Sequence, residues 1–404
     1  MNDEPMNNDQ SLRRQRAASP PHVIAAMLVI GLLLVALRLG FWNLNSAISS
    51  ASPTPTSWPR ARLSSPEYGM QVFLNKWHKG EMARDLELVR DAGFTWIKQN
   101  VGWRDIEGIV KGEYDWYFTD RVVADAEELG LNVLFRLDSE PVWAVSSRGD
   151  DVGNGPPENP QDLGDFCHAL AERYRGRVRA YEVWNEPNLA REWGGWPPDP
   201  VEYVELLRAC YIGVKSADPD ALVISAGLSP TGSGPPEAMP DIQYLIAMYE
   251  AGAAPYFDLL GVNAPGYKAP PELDPDDAAD PEQGYGGHRF FCFRHVEDAR
   301  AVMLRYGDGD KQIAVLEMGW TIDPVHPEYA WHAVTEEQQA DYLVRAYRYA
   351  REHWSPWIGL MTVISIADPN WTEENEQYWW AVTEPGWPET RTRLAYEALR
   401  EMEK

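Results

Sequence analysis

Cysteine is scarce in this chain. Three residues in 404, Cys167, Cys210 and Cys292, cannot form a fully paired framework, and a chain of this length has no need of one. Cys167 and Cys210 fall in successive helical stretches, so a bridge between them stays open. The eight histidines are scattered, and no Cys/His spacing has the form of a metal site; no metal and no cofactor is expected. Basic residues are also few, 36 against 62 acidic ones, for a net charge of −26. That excludes the basic face a nucleic-acid partner requires, and the acidic surface reads as a solubility device. No Gly-rich fingerprint follows the first strand-like run, which argues against an open dinucleotide-binding sheet.

What the chain does have begins at its N-terminus. Residues 23–37, "VIAAMLVIGLLLVAL", are unbroken apolar. With "RLGFW" the run reaches residue 42, interrupted only by Arg38, which can snorkel. Arg13, Arg14 and Arg16 precede it, and the positive-inside rule then puts the N-terminus in the cytoplasm. The expected organisation is a cytoplasmic tail over 1–22, a transmembrane signal-anchor over 23–42, a Ser/Pro/Thr-rich linker over 43–65 and one large domain over 66–404. A signal peptide cleaved near "SSA", 49–51, is the alternative, giving a secreted domain. Either way the bulk of the chain lies outside the cytoplasm.

From residue 66, short β-branched or aromatic runs alternate with amphipathic helical stretches. The strand candidates span 68–74, 94–101, 132–138, 178–185, 221–228, 257–264, 312–320 and 358–366. Between them lie patterns such as "EMARDLELVRDAG" and "EEQQADYLVRAYRYAREH". This alternation predicts an α/β fold, a closed (β/α)8 TIM barrel preceded by the transmembrane helix and linker. In such barrels chemistry belongs at the carboxyl ends of the strands.

Two carboxylates meet that test. Glu186 ends the fourth run in "YEVWNEPN", and Glu317 ends the seventh in "AVLEMGW". A carboxylate after apolar strand residues is costly to bury unless it is paired or used. Two of them across a barrel mouth suit glycoside hydrolysis, one protonated to serve the leaving oxygen and one ionised to attack or to activate water. Carboxyls about 5–5.5 Å apart give retention, and about 6.5–9.5 Å inversion. The 18 tryptophans fit the same theme, since an indole face stacks on the C–H face of a sugar, although each also suits a core.

"WNEPN" on strand four with "LEMGW" on strand seven resembles glycoside hydrolase clan A, the retaining β-glycosidases of family 39 and family 5 type, in their membrane-anchored bacterial form. The resemblance covers about 66–404. It implies Glu186 as acid/base, Glu317 as nucleophile and Asn185 as the partner of the substrate 2-hydroxyl. Strict alternation would put Asn185 and Glu186 on opposite faces, so the strand must bulge or end there, and Pro187 suggests that it ends. Tyr267 resembles the tyrosine that hydrogen-bonds the nucleophile. Trp103 and Trp143 are expected as pocket walls. Trp193, Trp196, Trp371, Trp379 and Trp380 are candidate sugar platforms. The chain departs from the family pattern at three points: Lys98 stands where an arginine is usual on strand two, Asn263 replaces a histidine on strand six, and Ile366 stands where strand eight usually carries a tryptophan.

The resemblance thus implies a β-linked glycan substrate, double displacement, and a membrane-tethered domain outside a bacterial cell. A non-catalytic glycan-binding barrel and a transglycosidase that remodels exported polysaccharide are the alternatives. Oligomeric state is left open.

Overall fold

A computed structural model describes residues 62–74, 79–145, 154–388 and 391–404. The expected tail (1–22), anchor (23–42) and the linker up to residue 61 lie outside these described residues. Among the described residues no helix is long and apolar enough to cross a membrane.

Eight parallel strands close a barrel in sequential order. They are β1 (Glu67–Val72), β2 (Trp96–Gly102), β3 (Asn132–Asp138), β4 (Ala180–Val183), β5 (Leu222–Ser225), β6 (Leu259–Pro265), β7 (Gln312–Gly319) and β8 (Ile358–Val363). One main helix follows each strand: α1 (Lys79–Asp91), α2 (Tyr117–Glu128), α3 (Pro160–Arg173), α4 (Pro200–Ala217), α5 (Asp241–Glu250), α6 (Val296–Arg305), α7 (Glu336–Tyr349) and α8 (Leu394–Glu401). The expected strands and helices are all present. β4 is shorter than expected because Trp184 leaves the extended region, with φ +76°.

Local signals start the helices. Asn159 caps α3 ahead of Pro160, Asp199 caps α4 ahead of Pro200, and Thr335 forms a reciprocal capping box with Gln338 at α7. The strands alternate. Outward residues such as Ile97, Val133 and Val223 join the helix-facing core. Inward residues Trp96, Leu134, Ala180, Leu222, Leu316 and Leu360 fill the lower barrel. Leu63, just before β1, joins this inner cluster, its backbone N–H and C=O both bonded to the Gln312 side chain. Cys167 on α3 and Cys210 on α4 form a disulfide, with Cα atoms 5.3 Å apart. Gly164 and Gly213 let these helices touch: a Cβ on Gly213 would lie 2.3 Å from the Gly164 carbonyl oxygen. Cys292 is buried and free.

Candidate active site

A cavity of about 510 Å³ opens at the carboxyl ends of the strands, and both Glu186 and Glu317 line it. Each reaches it through an irregularity in its strand.

On the β4 side, Trp184 (φ +76°) and Glu186 (φ +40°) both adopt the left-handed region. Such non-glycine backbone costs about 1–3 kcal/mol per residue and persists only where the surroundings enforce it. Here they do. The Trp184 N–H donates to the Leu137 carbonyl (2.8 Å), its indole to the Glu192 carbonyl (2.8 Å), and the Glu186 N–H to the Gly227 carbonyl (3.2 Å). The result breaks alternation, so Asn185 and Glu186 both face the cavity. On the β7 side, Val262 pairs with Val315 but Asn263 pairs with Glu317, so Leu316 is an extra residue. This bulge lets Leu316 fill the barrel interior while Glu317 also turns inward.

The two carboxylates have opposite surroundings. Asn263 Nδ2 donates to Glu186 Oε1 at 3.1 Å, and Arg191 Nη2 lies 3.0 Å from Oε2. Burial, followed by the Glu317 charge, pushes Glu186 up to about 7 despite Arg191. Burial also opposes ionisation of Glu317, but Lys98 and Arg136 outweigh it and hold that carboxyl below its ordinary value. Lys98 Nζ and Arg136 Nη1 each lie 3.3 Å from Glu317 Oε1. Lys98 sits beneath the cavity, 1% exposed, with a second carboxylate, Glu182, 3.2 Å away. Two carboxyls pushed apart in this way can serve as an acid and an ionised partner at the same pH.

Asn185 accepts from Arg136 Nη1 at 3.2 Å, which fixes its orientation beside the pair. Trp371 lines the cavity, edge-on to Phe73, and Trp380 closes it beside His332.

Several expectations are corrected. Tyr267 lines the cavity, but its hydroxyl donates to the Pro230 carbonyl (3.3 Å) rather than to Glu317. Its backbone is left-handed (φ +52°), and its ring packs against Phe290, Phe291 and His332. Trp103 is not a pocket wall: fully buried, it stacks on Phe166 and donates to Glu107 Oε2. Trp143 lies outside the cavity, edge-on to Trp103, with its indole on the Glu107 carbonyl. Trp193 is buried against Trp184 and Tyr203 and offers no face to a sugar. Trp196 is half exposed yet off the cavity wall, as is Trp379, whose indole bonds the Glu373 carbonyl. The β8 wall is Ile364, while Ile366 belongs to the helix-facing core.

Sequence reasoning missed Arg136, Glu182, Arg191 and His332. The first two carried a usable signal, a charge inside an apolar strand, in "NVLFRLD" and "YEVW". Arg191 and His332 come from loops and carry none. Burial keeps His332 neutral, lowering it to about 4.

No protein-family model matches this chain, and no curated protein matches it in sequence. Solved structures do. A family 39 glycoside hydrolase from Bacteroides cellulosilyticus aligns with TM-score 0.61 at 21% identity, over 83% of this chain and 63% of that one. Xylanase 10B from Thermotoga maritima aligns with TM-score 0.53 at 15% identity, over 84% and 94%. An exo-β-1,4-mannosidase from an Opitutaceae bacterium aligns with TM-score 0.52 at 16% identity, over 86% and 61%. The shared feature is the barrel fold. This chain thus spans less than two thirds of the family 39 and mannosidase chains.

Proposed function

We propose that this chain is a retaining β-glycosidase of the clan A type, acting on a glycan outside the cytoplasm. The observation that carries the reading is the pair Glu186 and Glu317 lining one cavity at the ends of β4 and β7, Glu317 held by both Lys98 and Arg136 and Glu186 by Asn263 and the exposed Arg191. Its resemblance in fold to a family 39 glycoside hydrolase, a xylanase and a mannosidase supports the same class.

In the first step the ionised Glu317 attacks C1, and the C1–O bond to the leaving sugar breaks. The leaving oxygen takes the proton of Glu186, and an ester joins C1 to Glu317. Arg136 holds Asn185 Oδ1, which leaves the amide nitrogen to donate to a ring hydroxyl at the −1 position. Esterification removes the Glu317 charge, so Glu186 loses a repulsive neighbour and its pKa falls, as a base requires. Glu186 then deprotonates water, which attacks C1 and frees Glu317. The steps use only these side chains.

The apolar N-terminal run, 23–42, would tether the domain to the outer face of a bacterial membrane. The disulfide between Cys167 and Cys210 suits an oxidising compartment.

The test is the full-length protein in detergent, with Glu186→Ala and Glu317→Ala beside it. The substrates are β-linked glucans, xylans, mannans, galactans and bacterial exopolysaccharides. New reducing ends from the parent alone, with β-anomeric product at early times, support the reading. Retained glycan binding without cleavage would replace it with the binding-protein reading. Products longer than the substrate would indicate transglycosylation.

A further inference from the structure

Arg191 belongs to the single turn Ala190–Glu192 that follows "WNEPN", and no part of the reaction above uses it. We propose that Arg191 is a positioning residue that divides its guanidinium between Glu186 and Glu192 and thereby sets which protonation state Glu186 holds. This rests on the glycosidase reading of the same cavity.

The argument is geometric. Glu186 has two carboxyl oxygens, and Asn263 Nδ2 donates to Oε1 at 3.1 Å. With Oε1 occupied by Asn263, Oε2 is the oxygen left to carry the proton or to take a second donor. Arg191 Nη2 lies 3.0 Å from that oxygen. A guanidinium has only donors, so full charge holds it at Oε2 when Glu186 is ionised, and only a weak neutral contact remains when Oε2 is protonated. The means to leave are present. The Arg191 side chain is 70% exposed, against 12% for Glu186. Its Nε already lies 3.5 Å from Glu192 Oε1, and Glu192 is fixed by Asn154 Nδ2, which donates to its other oxygen at 2.8 Å. Two perches, only one of which depends on the Glu186 proton, match the two half-reactions: acid with Arg191 on Glu192, base with Arg191 on Glu186.

Other groups face the pair from every neighbouring element. Glu317 on β7 and Glu192 oppose ionisation of Glu186, while Asn263 on β6 favours it. Tyr329, Tyr267 and Glu376 lie near from the loops after β7, β6 and β8. Tyr329 and Glu376 interact with Arg191 and leave it a net cation among acids, so its removal must raise the Glu186 midpoint.

The experiment compares the full-length parent with Arg191→Met and Arg191→Lys. Two readouts are taken: the pH profile of kcat/KM on whichever glycan the parent cleaves, and the titration of Glu186 by 13C NMR with carboxyl-labelled glutamate. The resonance is assigned with Glu186→Gln. Arg191→Met is expected to move both the alkaline limb and the NMR midpoint up by about 0.5 to 1 pH unit. Arg191→Lys restores most of the parent value. Added salt, to ~0.5 M, moves the parent toward the methionine variant and leaves that variant in place, because the exposed arm is screened. Glu192→Gln lowers the midpoint, and lowers it less in the Arg191→Met background. A midpoint identical in the parent and Arg191→Met overturns the proposal. A midpoint that moves in a parent that cleaves nothing leaves it standing and removes the glycosidase reading instead.

Discussion

Arg136 Nη1 lies 3.3 Å from Oε1 of Glu317, reaching across the barrel from β3 to β7. The resemblance placed an arginine on strand two, where this chain has Lys98. The fork is instead supplied one strand further on. Arg136 also grips Asn185 (3.2 Å) and is itself braced by Asp138 (3.0 Å). Arg136→Lys keeps the charge and loses the planar fork. It is expected to lower kcat about 100- to 1,000-fold, the range found for removing one electrostatic stabiliser of a transition state. Steady-state kinetics with KM measured separately checks this, since a general loosening of the fold would raise KM as well.

Glu182 lies beneath the pair, fully buried, 3.2 Å from Lys98 Nζ. Burial raises its pKa, with Lys98 and Arg136 acting against the rise. It competes with Glu317 for the same ammonium. Glu182→Gln gives Lys98 to Glu317 alone and deepens the depression of the Glu317 pKa. The acidic limb of kcat/KM should then move down by about 0.5 to 1 unit. On the proposed double-displacement reading, the ester-forming step should slow, because a better-stabilised carboxylate is a poorer nucleophile. Pre-steady-state kinetics separates that step from hydrolysis of the ester.

His295 ties α5 to α6, with Nε2 2.7 Å from Asp241 Oδ2 and Nδ1 3.0 Å from Asp298 Oδ2. Burial disfavours its charge, but the two aspartates prevail and raise it to about 9. The unfolded value is about 6.5. The stabilisation is therefore complete below about pH 6.5 and is lost as pH rises through about 9. Denaturant unfolding at these two pH values should show the parent losing on the order of 2 kcal/mol more than His295→Gln.

The Cys167–Cys210 disulfide closes a loop with a sequence separation of 43. Loop-closure entropy for that length corresponds to about 4 kcal/mol as an upper value. Cys167→Ser with Cys210→Ser, or reduction, should lower Tm by several degrees in a thermal melt. The cavity, built from other elements, should keep its chemistry at low temperature.

The barrel was legible because period-two runs and amphipathic stretches alternate eight times. Glu186 and Glu317 were legible because a charge at the end of an apolar strand needs a reason. Arg136 carries the same signal, a charge within the apolar run "NVLFRLD". The tryptophans were not legible. Whether an indole after a strand faces the cavity depends on a few backbone angles and on a partner for its N–H. Trp103 found Glu107 and went into the core, while Trp371 stayed at the mouth. Tyr267 shows the same dependence, since one left-handed residue sent its hydroxyl to Pro230.

The extra residue in β7 has a bearing on height. Leu316 occupies the apolar floor with Trp96 and Leu134, and Glu317 stands one level above it on the same wall. Deleting Leu316 would restore a regular strand and draw the carboxylate down into that floor, below Arg136. The insertion thus separates two jobs along a single strand. Leu316 can be repacked in any apolar residue of the right size while Glu317 above it keeps its elevation.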